Sequence, residues 1–217
     1  MEHKATVRAG AIAAFAGAVI LLAMFVIGSR AASALAIVGL PGAPEQYARA
    51  LNAGGSALIQ VMALDNIFVV AYTFAFIGAA ASFRERAKLP AAAGLVFTGL
   101  LAGLDLTENA LTVQMARSAL AGIPVTPGQI AALGILDQVK FACGAAAVIF
   151  IAAGMLIAGS DRPQFTRRVV EVFMLFGAVN ALKVILPSSG LVLVVWMLIM
   201  LALGGVYLWG AGSQRGQ

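Results

Sequence analysis

Apolar positions in this chain do not alternate; they run on. The first run, AGAIAAFAGAVILLAMFVIG at residues 9–28, is followed by others at 56–83, 90–115, 129–158, 168–186 and 190–211. A helix needs about 20 apolar residues to cross a hydrocarbon layer of about 30 Å. Each run is near that length or longer. They are continuous and rich in Ala and Leu, where a membrane barrel would show alternation. The expectation is therefore an all-α, polytopic integral membrane protein: one domain, residues 1–217, of six transmembrane helices.

Short polar breaks separate the runs: Gly54-Gly55, RERAKLP, GIPVTPG, SDRPQFTRR and PSSG. The tight PSSG turn predicts that the last two helices form an antiparallel pair. The longest connection, 29–55, contains PEQYARALN, which predicts a short surface helix with Pro44 in its first turn. The first run is read as a retained helix, because about 20 residues exceeds the roughly 7–15 of a signal-peptide core.

Composition sharpens the picture. The chain is 62% hydrophobic and 11% charged, with a mean hydropathy of +0.99. A water-soluble domain carries roughly 25% charged residues. The net charge of +5 would suggest nucleic acid in a soluble protein, but here it marks topology and contact with membrane lipids, and no nucleic acid is expected. Lys4, Arg8, Arg84, Arg86, Lys88, Arg162, Arg167, Arg168 and Arg215 fall on one side of a six-span arrangement. Arg30, Arg49 and Arg117 fall on the other. Nine against three puts both termini in the cytoplasm of a cell inner (plasma) membrane.

The remaining two basic residues, Lys140 and Lys183, fall inside predicted spans. So do Asp65, Asp105, Glu108 and Asp137. Each intramembrane charge costs about 2.5–3.5 kcal/mol at mid-bilayer, so these groups must meet one another, water or a ligand. At about 1.5 Å per residue all six lie between the membrane centre and the external face. Their spacing also puts them on shared faces. Asp105, Glu108, Asn109 and Thr112 form one helical stripe at i, i+3, i+4 and i+7. Asp137 with Lys140, and Asn180 with Lys183, are three residues apart. Asp65 and Tyr72 are seven apart, with Asn66 beside them. These eleven residues are the candidate substrate- or ion-binding set. Four carboxyl groups against two ammonium groups leave a formal surplus of two negative charges, which calls for protonation, a bound cation or a cationic substrate. A divalent cation held by Asp105, Glu108 and Asp137 is one form this can take, since hard cations accept all-oxygen ligands.

Other chemistry lacks its parts. The only histidine is His3 and the only cysteine is Cys143. That removes His/Cys metal clusters, paired-histidine haem ligation and Ser-His-Asp catalysis. No flavin or nucleotide signature is present either.

A faint duplication runs through the polar helices. NALTV at 109–113 returns as NALKV at 180–184, and LDN at 64–66 returns as LDQ at 136–138. The offsets of 71 and 72 residues predict a parallel repeat of helix pairs two–three and four–five, an arrangement that transporters use to build central sites. GLLAG at 99–103 is a GxxxG pattern, which predicts close helix packing beside Asp105. Met and Phe read as ordinary core and lipid-facing residues.

Three functions fit this pattern. The first is a small transporter or ion-conducting protein binding a proton, metal ion or organic cation; six helices leave little room for alternating access unless the chain forms a homodimer. The second is an intramembrane enzyme acting on lipid or polyprenyl headgroups through the Asp/Glu cluster. The third is an accessory or scaffold subunit whose polar layer only fixes helix register.

Overall fold

In the computed structural model the chain is described over residues 2–159, 163–185 and 190–212, with side chains left out at 2–4, 7, 163, 180–185, 190–193 and 209–212. Among the described residues the protein is all-helical and contains no strand. The helices are α1 (Glu2–Gly28), the one-turn α2 (Ala32–Leu35), α3 (Pro44–Ala81), α4 (Lys88–Leu120), α5 (Pro127–Ile157), α6 (Pro163–Ile185) and α7 (Gly190–Gly212), with a 3-10 turn at Ser29–Ala31. Among the described residues four segments are long and apolar enough to cross a membrane: Arg8–Leu35, Pro44–Ala81, Lys88–Leu120 and Pro127–Ile157.

Six long helices pack in a closed ring. The contacts run α1 to α3, α3 to α4, α4 to α5, α5 to α6 and α6 to α7, and α7 returns onto α1. Neighbours run antiparallel. Gly10 of α1 lies against Gly78 of α3, and Gly17 against Phe68. At the ring's closure Gly10 meets Tyr207 and Gly17 meets Met200, so the start of α1 and the end of α7 share one end of the bundle.

Polarity is inverted relative to a water-soluble fold. Val19, Val96 and Ile135 are 67%, 61% and 62% exposed, whereas Asp105, Glu108 and Lys140 are 8%, 6% and 8% exposed. An apolar exterior around a polar interior is what lipid contact selects.

Local signals explain most helix ends. Gly122, at φ +74°, closes α4 as Ile123 N–H donates to Ser118 O at 2.8 Å, a left-handed glycine cap. α5 begins with Pro127 behind Thr126, whose Oγ1 accepts from Gln129 N–H at 3.3 Å while Gln129 Oε1 accepts from Thr126 N–H at 2.9 Å. That is a reciprocal capping box.

Three expectations need correction. PEQYARALN is not a separate surface helix, and Gly54-Gly55 is not a break: α3 runs unbroken for 38 residues from Pro44, about 57 Å. Gly54 is retained in the helix because tertiary contact needs it bare. A Cβ on Gly54 would lie 3.2 Å from Ala31 Cα, Ala34 Cβ and Ser33 Oγ. The small residues let the 29–35 segment fold back onto α3. The two glycines of GLLAG likewise make no close helix contact among the described residues, since a Cβ at Gly99 or Gly103 would meet nothing within 4 Å. Close approach occurs instead where Gly94 of α4 faces Ile151 and Ala147 of α5. The PSSG turn lies outside the described residues.

Candidate functional site

The polar stripe of α4 faces into the ring and meets α3 on one side and α5 on the other. From α5, Lys140 brings its Nζ to 2.9 Å from Asp105 Oδ1 and 2.5 Å from Glu108 Oε2. From α3, Tyr72 donates its hydroxyl to Asp105 Oδ2 at 3.1 Å. Asn109 donates through Nδ2 to Asp65 Oδ2 at 2.8 Å and to Asn66 Oδ1 at 3.0 Å. Asp105 is therefore held by a cation on one oxygen and a phenol on the other. The i, i+3 spacing that would set Asp105 and Glu108 repelling each other is resolved by one shared ammonium.

A cavity of about 460 Å³ opens beside this network. Asp65, Tyr72, Asp105, Glu108, Asn109, Asp137 and Lys140 all line it. Its floor is aromatic. Phe176 lines the cavity and meets Phe76 edge-to-face at 5.6 Å, and Phe76 meets Phe173 at 5.2 Å. Just beyond, Tyr207 of α7 donates its hydroxyl to Ala75 O of α3 at 3.0 Å. The bundle end that carries the start of α1 and the end of α7 is thus closed by packed rings.

The opposite end is covered by the connection between α1 and α3. Ser29, Ala32, Leu35, Ala36 and Val38 line the cavity from there. Gly39, at φ +80°, lies against Asp137: a Cβ placed on it would be 3.4 Å from Asp137 Cγ. Left-handed backbone favours glycine. Tyr47 secures the connection by donating to Leu40 O at 2.7 Å.

Seven of the eleven sequence-derived residues therefore share one cavity. Asn66 joins through Asn109 without lining it. Thr112 is buried one turn further along α4, away from the cavity, and its Oγ1 has no hydrogen-bond partner among the described residues. The side chains of Asn180 and Lys183 lie outside the described residues. Asp105, Glu108 and Asp137 do not fit a metal ion: among the described residues no three potential ligands converge in a metal-holding group. The ammonium of Lys140 takes the place between the first two.

Sequence reading missed the apolar walls. Met24, Phe25, Phe68, Phe141, Phe176 and Trp196 line the cavity, yet nothing in their spacing separates them from the many other apolar residues. Their selection depends on which face each helix turns inward.

At this point the class is an all-helical protein with membrane-length apolar helices around a charged cavity. No protein-family model, curated protein or solved structure matches the chain.

Proposed function

We propose that this protein is a small membrane transporter that binds a cation in the carboxylate-rich cavity and carries it across the membrane. In this reading all six long helices span a cell inner membrane and both termini are cytoplasmic. The cavity then lies in the outer half of the bilayer. The observation that carries the reading is the convergence of four carboxyl groups, Asp65, Asp105, Glu108 and Asp137, on one cavity in which Lys140 is the only described ammonium group. The sequence sets these four carboxyl groups against two ammonium groups within the spans, Lys140 and Lys183, and intramembrane acids that outnumber the basic groups create a negative potential that a cation relieves.

The arrangement also supplies two barriers for alternating access. The aromatic floor of Phe76, Phe173 and Phe176 separates the cavity from the cytoplasmic end. The 29–38 connection covers the other. Asp65 and Asp137, which occupy equivalent places in the LDN/LDQ duplication, both line the cavity, as expected of a site at a repeat interface. Rocking of one helix pair against the other, with a homodimer as scaffold, would expose the site to each side in turn.

The test is flux in proteoliposomes. Protons, sodium, magnesium and small organic ammonium ions are offered under an inward gradient, with Glu108→Gln as the matched variant. Saturable uptake of at least one cation is expected, reduced at least tenfold by Glu108→Gln. Flux equal to that of empty liposomes for every cation, or full flux in Glu108→Gln, rejects the reading.

A further inference from the structure

The cavity is much larger than a bare ion requires. A water molecule in the liquid occupies about 30 Å³, so about 460 Å³ corresponds to roughly fifteen waters. This volume falls within the ~300–1,000 Å³ typical of small-molecule sites.

The carboxyl groups are not equivalent. Asp105 and Glu108 share Lys140, and Asp105 is further engaged by Tyr72. Asp65 instead receives only the neutral amide of Asn109, on Oδ2. No ammonium or guanidinium group pairs with it among the described residues, and its Oδ1 accepts no hydrogen bond there. It is therefore the carboxylate ready to accept a charged N–H donor, and such charge-assisted bonds are roughly twice as strong as neutral ones.

The walls suit the rest of such a ligand. Trp196 stands 6.1 Å from Phe141 and 6.4 Å from Phe176, centroid to centroid, giving a continuous aromatic surface from α5 to α7 to α6. Rings of this kind attract cations through their faces. Lys140 Nζ already lies 5.3 Å from the Phe141 centroid.

Resting on the cation-binding reading above, we infer that the ligand is a small organic ammonium ion. Its N–H groups bond Asp65, and its apolar body packs against Phe68, Phe141, Phe176 and Trp196. The Lys140–Asp105–Glu108 triad stays intact and forms the opposite wall. A metal ion would leave most of the cavity unfilled and lacks a converging set of ligands among the described residues.

The experiment uses the purified full-length protein in detergent micelles at constant ionic strength near pH 7. Benzylammonium chloride, benzyl alcohol and magnesium chloride are titrated by calorimetry and by thermal melting. Benzylammonium is expected to bind saturably and raise the Tm. Benzyl alcohol, nearly the same shape without the charge, should bind at least tenfold more weakly, and magnesium should not raise the Tm. Asp65→Asn keeps an oxygen for the Asn109 amide and should lose at least tenfold in benzylammonium affinity. Trp196→Leu should weaken it several-fold.

Equal binding of benzyl alcohol, stabilisation by magnesium in place of benzylammonium, or parent-like affinity in Asp65→Asn overturns the inference. If Asp65→Asn does not fold, parent-like affinity in Trp196→Leu overturns it instead. Benzylammonium binding without flux leaves the ligand class standing and removes the transport reading. Flux of protons or metal ions with no benzylammonium binding does the reverse.

Discussion

Lys140 reaches from α5 to α4 and places its ammonium nitrogen 2.9 Å from Asp105 Oδ1. The same nitrogen holds Glu108, one turn along, so a single cation fixes the register between two helices and is shared by a pair of carboxylates. The pair is a fixed internal salt bridge around which the rest of the cavity is organised.

Removing that cation should be severe. Lys140→Met strands two buried carboxylates, and breaking a buried pair costs about 3–5 kcal/mol. A large fall in thermal stability in detergent is expected. Adding Asp105→Asn and Glu108→Gln to Lys140→Met should recover much of it, because the stranded charges are gone. A triple variant as unstable as Lys140→Met would show that the loss comes from packing of the lysine stem.

Tyr72→Phe tests the phenol on the other oxygen of Asp105. Interhelical hydrogen bonds inside membranes average about 0.6 kcal/mol and reach about 1.7 kcal/mol. The upper part of that range is expected, since the acceptor is a carboxylate. Thermal melting or denaturant unfolding in detergent provides the check; no change would mean that Lys140 alone satisfies Asp105.

The glycines separate into close contacts and open positions. A Cβ on Gly78 would lie 3.2 Å from Gly10 Cα and 3.4 Å from Thr6 O, backbone that cannot step aside. Gly78→Val should therefore destabilise by about 1–3 kcal/mol, the usual cost of overpacking. Gly99→Ala meets no described atom within 4 Å and should be neutral or slightly stabilising, since alanine favours helix by up to about 1 kcal/mol. Thermal melting of the two variants beside the parent protein checks the contrast.

Topology can be mapped with single cysteines in a Cys143→Ser background. Glu85→Cys in the α3–α4 connection and Ile123→Cys in the α4–α5 connection should label from opposite faces of oriented vesicles, with position 85 cytoplasmic. Labelling of both from one side would mean that α4 does not cross. Labelling of position 85 from outside would reverse the orientation.

Much of the site was legible before any fold was known. The spacing of Asp105, Glu108 and Asn109 put them on one face, and the cost of buried charge required partners for them. Lys140, three residues from Asp137, was visible as one such partner. The fate of Thr112 was not: it belongs to the same stripe by periodicity, but one more turn carries it past the cavity. The aromatic walls were hidden as well, because a phenylalanine inside the ring and one facing outward are the same letter in a chain this apolar.

What the sequence by itself determined is the set of helices and the polar layer within them. Run length and residue spacing are local properties, and the cost of intramembrane charge does not depend on the neighbour that relieves it. Tertiary structure decided which neighbour that is. It chose Lys140 for Asp105 and Glu108, and Asn109 for Asp65, because pairing depends on how two helices are rotated against each other. It also overruled Gly54-Gly55 as a break. In isolation glycine weakens a helix, but here its missing side chain lets Ala31 and Ala34 approach. That contact folds the connection back over the bundle, bringing its 29–38 stretch onto the cavity.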